Sequence, residues 1–163
     1  MEHLDKFRIP EEAIKRMQQP DFLMNAIDAG QTLQEIIGYS DDTMEGFYQI
    51  ANKLYAEAKH EEAKDAFLFL TTMNPNIYAF WIGLGMSFQM IEEYEEAILA
   101  YEYACKLENS LAFPWFHAAN CFMLIGNKDL AKSYYLTAKE LAQDKAESKE
   151  VFTRAENALK KWK

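Results

Sequence analysis

The side chains able to do covalent or metal chemistry in this 163-residue chain are few and scattered. Its three histidines are His3, His60 and His117, and none stands one helical turn from another. No H-E-x-x-H, glycine-rich phosphate loop or nucleophile elbow occurs, so metalloprotease, nucleotide and serine-hydrolase chemistries lack their residues. His117 and Cys121 form a thiol–imidazole pair at i, i+4. A structural zinc site takes four ligands and only these two are at hand, so packing is the expected role. The acidic run "EEYEE" at 92–96 reads as a solvated helix start, where carboxylates suit the macrodipole. No catalytic residue, metal or cofactor is therefore expected. Asn52 and Asn120 carry a different chemistry. Their amides can bond the backbone of an extended peptide, or simply face water.

Side chains that bind a peptide need elements to aim them. Residues 80–90, "FWIGLGMSFQM", have Trp81, Leu84, Gly85 and Phe88 on one helical face. Ile82, Met86 and Met90 form a second apolar stripe, although a surface helix needs only one. The pattern returns every 34 residues. Phe47, Trp81 and Trp115 align, as do Ile50, Leu84 and Ala118; Ala51, Gly85 and Ala119; and Leu54, Phe88 and Phe122. Ala63, Ala97 and Ala131, then Phe67, Tyr101 and Tyr135, then Leu70, Ala104 and Ala138 complete the columns. Pro75 closes the first repeat. This resembles the tetratricopeptide repeat, W-x2-L-G-x2-Y followed by A-x3-F and P.

The fold expected is an all-α tetratricopeptide solenoid. A helical extension at 1–43 precedes three helix pairs at 44–77, 78–111 and 112–145, and a capping helix at 146–163 closes the stack. Each repeat is a helix A and a helix B. The small residues 51/85/119 and 63/97/131 let the helices approach, and the aromatic columns fill the spaces between them. Turns are expected at "AKHE", "IEEY" and "IGNK", with Gly126 in a left-handed conformation. Pro114 falls in the first turn of its helix. Residues 21–37 read as helical, Pro10 and Pro20 bracket a shorter helix, and Asp42 with Glu45 reads as a capping box.

Composition agrees. Half the chain is apolar, and only 4 prolines and 6 glycines interrupt it. No apolar run is long enough for a membrane helix, and the N-terminus has no secretory h-region. Cys105 and Cys121 lie in apolar patterns and read as buried free thiols in a reducing compartment. The net charge of −9 argues against nucleic acid and anionic membrane as partners.

In this register the columns next to the packing positions face the concave groove. They hold Tyr48, Asn52, Tyr55 and Ala56 in the first repeat, and Ile82, Met86, Gln89 and Met90 in the second. In the third they hold Phe113, Phe116, Asn120, Met123 and Leu124. The peptide-binding set expected is Tyr48, Asn52, Tyr55, Ile82, Met86, Met90, Phe113, Phe116, Asn120 and Met123. Either a ligand covers this stripe, or the N-terminal helices or a second subunit do. A carboxylate clamp is not expected, because Tyr48, Phe113 and His117 stand where its basic residues would be needed.

Over nearly its full length the chain resembles the tetratricopeptide class II chaperones of bacterial type III secretion. The resemblance rests on the three repeats and on "AGQTLQEIIGYSDDTMEGFYQIANKLY", whose A-G-x-T-L segment generic repeat proteins do not share. It implies a cytoplasmic chaperone that keeps hydrophobic translocator proteins soluble before export, with an extended client segment in the groove. It also implies homodimerisation through the N-terminal helices. Phe22, Leu23, Ile27, Leu33 and Ile36 supply more apolar surface than one contact with the first repeat needs. A generic scaffold joining folded proteins is the other function class these residues fit.

Overall fold

The computed structural model describes residues 8–162. His3 and the rest of the first seven residues lie outside that range, as does Lys163. Within it the chain is helical from end to end. Three short helices, α1 (Glu11–Met17), α2 (Phe22–Asp28) and α3 (Leu33–Ile37), form the N-terminal extension. The A and B helices follow in pairs: α4 (Asp41–Ala56) with α5 (His60–Met73), α6 (Tyr78–Met90) with α7 (Tyr94–Leu107), and α8 (Ala112–Leu124) with α9 (Lys128–Ala142). A 3-10 turn at Ala146–Ser148 leads into α10 (Lys149–Leu159), and Lys160–Trp162 ends as a second 3-10 turn.

From α4 onward each helix packs chiefly on its neighbours in sequence, and α10 lies on α9 and α8. The core is divided accordingly. One cluster gathers Ala51, Ala63, Phe67, Leu70, Phe80 and Leu84; the other gathers Ala97, Tyr101, Phe116, Ala119, Phe122 and Tyr135. No pair buries its apolar face alone, so stability spreads along the stack.

The small-residue columns are where the helices touch. Ala51, Ala63, Ala97, Ala119 and Ala131 are all fully buried. A Cβ on Gly85 would meet the Tyr101 ring at 2.8 Å. Gly83, outside the repeat columns, is tighter still, with the Phe67 ring 2.1 Å from where its Cβ would be. The three turns all carry a left-handed residue at their centre: Ala58, Glu92 and Gly126, with φ of 58°, 64° and 84°.

The N-terminal extension corrects two readings. Residues 21–37 are not one helix. Gly30, at φ 76°, breaks them into α2 and α3, and Thr32 starts the second with a capping box closed by Glu35. Asp42 does not cap α4. Ser40 does, accepting from the Thr43 N–H at 3.2 Å, because Gly38 at φ 80° ends α3 and turns the chain first. The buried Gln34 then fastens the extension to the first repeat. Its amide donates to Asp41 Oδ1 at 2.8 Å, and its Oε1 accepts from Asn74 Nδ2 at 2.8 Å. The A-G-x-T-L segment thus supplies a break and a cap, and Gln34, the residue after it, supplies the anchor. Leu33, the segment's last residue, packs on the first core cluster.

Candidate functional site

In a stack of helix pairs the A helices lie side by side along the inner, concave surface. Here these are α4, α6 and α8. On α6 the repeat columns fill the packing positions: Leu84 and Gly85 are buried, and Trp81 donates from Nε1 to the Pro75 carbonyl at 2.7 Å; Gly83, outside the columns, is buried too. The second stripe is left over. Ile82 and Met86 are half-buried against the C-terminal core cluster, and Met90 is 51% exposed.

The other groove residues divide by depth. Tyr48 is half-buried, with its ring 5.6 Å from Phe80 and 6.1 Å from Phe67. It lines a hollow of about 220 Å³ with Met44, Asn74 and Ile77. Tyr55 meets the His60 ring edge-on at 5.0 Å, and burial raises its hydroxyl pKa. Asn52 is exposed. Phe113 lies 4.2 Å from the His117 ring. Asn120 and Met123 line a second hollow, of about 240 Å³, with Leu124, Tyr135, Lys161 and Trp162. Phe116 departs from the expectation. It is only 3% exposed, packed between Tyr135 and His117 with the Arg154 guanidinium 4.9 Å from its ring. Its ring forms a wall beneath the groove rather than part of the open surface.

The polar groups of this face are tied to the B helices. Tyr101 donates to Gln89 Oε1 at 2.9 Å, and His117 Nδ1 lies 3.2 Å from the same oxygen. Tyr135 donates to Asn120 Oδ1 at 2.6 Å. Burial, and secondarily the Arg154 charge, pushes the His117 pKa down to about 4, so the imidazole is neutral at physiological pH. Sequence reasoning placed Tyr101 and Tyr135 among packing residues alone. The change from Phe67 to tyrosine down that column was the available signal, since a buried hydroxyl must find a partner.

No family model matches the sequence. The low calcium response locus protein H of Yersinia pestis is 34% identical over 134 residues, covering 82% of this chain and 79% of that protein. The chain belongs to the translocator-chaperone family of type III secretion. Among solved structures of similar proteins, a type III secretion complex from Aeromonas hydrophila superposes with a TM-score of 0.80 at 30% identity, covering 85% of this chain and 92% of that one. The Yersinia enterocolitica chaperone SycD, in complex with a peptide of the translocator YopD, gives a TM-score of 0.72 at 33% identity over 74% of this chain and 92% of its own. SycD is also known as an alternative dimer.

In this family member the residues read as a dimer face separate into two sets. Leu23 and Ile27 are 40% and 56% exposed on α2, and Phe22 is half-buried beside Arg16. Ile36 is 1% exposed, and Leu33 joins the first core cluster. These two belong to the chain's own interior, because the break at Gly30 turns α3 onto α4 and α5.

Proposed function

We propose that the chain is a cytoplasmic chaperone of a bacterial type III secretion system. It holds an extended segment of a hydrophobic translocator on the concave face of its repeats and keeps that protein soluble before export. The observation that carries this reading is the apolar stripe left unfilled by the repeat register: Ile82, Met86 and Met90 on α6, continued by Tyr48 and Tyr55 on α4 and by Phe113 and Met123 on α8. SycD, which shares the fold, takes up a YopD peptide. Alternate side chains of an extended client enter the apolar hollows, and the amides of Asn52 and Asn120 bond its backbone. Phe116 acts from below by fixing the wall. The methionines accommodate clients of different shape, being unbranched and polarizable.

A catalytic role is no part of this reading. Burial pushes the Cys121 thiol up to about 12, so it stays protonated beside a neutral His117. Among the described residues no helix is long and apolar enough to cross a membrane, and no group of three potential ligands gathers to hold a metal. Self-association uses the exposed side of α2, with Leu23 and Ile27 at its centre and Phe22 at its edge.

Co-expression with the translocators of the same secretion system tests the function. A translocator that is insoluble alone is expected to appear in the soluble fraction and to co-purify. Translocators that stay insoluble, with a folded cytoplasmic protein retained instead, would favour a scaffold.

A further inference from the structure

We propose that Tyr135 and Tyr101 are positioning residues that set the hydrogen-bonding polarity of the groove: by occupying the amide oxygens of Asn120 and Gln89 they leave amide N–H donors to meet carbonyl oxygens of an extended peptide. This rests on the groove being the client site.

Tyr135 is 4% exposed and Tyr101 fully buried, each surrounded by apolar side chains. A phenolic hydroxyl in such a setting requires a partner. Both find it on the A helix of their own pair, at Asn120 Oδ1 (2.6 Å) and Gln89 Oε1 (2.9 Å). The Gln89 oxygen is shared with His117 Nδ1 at 3.2 Å. A side-chain amide has one oxygen and one NH2 group. With the oxygen turned down to the hydroxyl, the NH2 remains for whatever enters from above.

The hollow beside Asn120 has the same polarity. Its other nitrogen-bearing residues are Lys161 and Trp162, which only donate, and Met123, Leu124 and Ala158 supply apolar wall. The fitting occupant is a main-chain carbonyl with an apolar side chain next to it. The first repeat lacks the device. Phe67 occupies the tyrosine column with no hydroxyl, and Asn52, in the Asn120 column, stands exposed. The donor polarity therefore belongs to the second and third repeats, which gives the groove a direction.

The test uses the full chain and a labelled peptide of the translocator YopD. Asn120→Asp keeps an oxygen for Tyr135 but replaces the donor with an anion. It should weaken binding by about tenfold or more, as expected when a donor is exchanged for a repelling acceptor. Asn120→Ala should weaken it by several-fold. Tyr135→Phe should also weaken binding in the parent, yet cause no further loss in the Asn120→Ala background, whereas purely structural damage would be the same in both. Phe67 in the equivalent column indicates that phenylalanine fits, and melting curves monitor folding. Parental affinity of Asn120→Asp, or equal loss from Tyr135→Phe in both backgrounds, would overturn the inference and leave the groove reading intact. No binding by the parent protein of the YopD peptide, or of peptides from the translocators of its own secretion system, would overturn both.

Discussion

Ala58, Glu92 and Gly126 occupy one position in three successive turns, and all take positive φ. Glycine does so freely, while a residue with a Cβ is strained there by roughly 1–2 kcal/mol. Ala58→Gly and Glu92→Gly should therefore each stabilise the protein by about 0.5–1 kcal/mol once the greater freedom of the unfolded glycine is subtracted. Gly126→Ala should destabilise it. Denaturant midpoints at constant slope measure all three. His117 makes a different prediction. Its folded pKa, about 4, lies below the ordinary histidine value near 6.5, so the unfolded chain takes up the proton first as pH falls. Its contribution to stability is complete above pH ~6.5 and is lost between that value and about 4. The melting temperature should fall across that window in the parent, and should fall less in His117→Gln. Equal slopes would mean that the imidazole is not held neutral by its surroundings.

At the scale of elements, α6 shows most clearly how the chain specifies its packing. Gly83 receives the Phe67 ring and Gly85 the Tyr101 ring, each from a B helix. Gly83→Ala gains helix propensity but forces a fully enclosed ring to move, so it should cost about 1–3 kcal/mol net. Gly85→Ala should cost less, its contact being 2.8 Å rather than 2.1 Å. Thermal melts rank the two, and the reverse order would contradict the packing. The repeat columns made α4 to α9 legible in the sequence, since tight helix pairing needs alanine or glycine at fixed spacing and those columns hold them. The start of α4 was misread, because Ser40 and Asp42 are both good caps and only the turn at Gly38 decides between them. The groove was legible as a stripe but not in depth. Phe116 has the same helical phase as its open neighbours, and it is enclosed by residues from other helices, Tyr135 of α9 and Arg154 of α10, which no single-helix pattern shows. The tyrosine–amide pairs join residues 12 and 15 positions apart on different helices, beyond the reach of any single-helix pattern.

At the scale of the molecule, the acidic stack carries one apolar surface on α2 and another along the A helices. Self-association is the role proposed for the α2 surface. The parent should sediment as a dimer at micromolar concentration, and Leu23→Asp or Ile27→Asp should shift it to monomer, because a charge on a symmetric face is buried twice. A monomeric parent, or dimeric variants, would remove that role from α2. Client binding is the role proposed for the groove. The most direct test is the affinity of the purified chain for the translocator segment it retains, compared with that of a Met90→Glu/Met123→Glu variant. Met90 is 51% exposed and Met123 is half-buried against the core, so affinities are compared once helicity and melting temperature have been matched to the parent's. Binding should fall by well over tenfold, since two carboxylates would be desolvated against an apolar client without partners. A folded variant that binds with parental affinity would contradict the assignment of the stripe to the client.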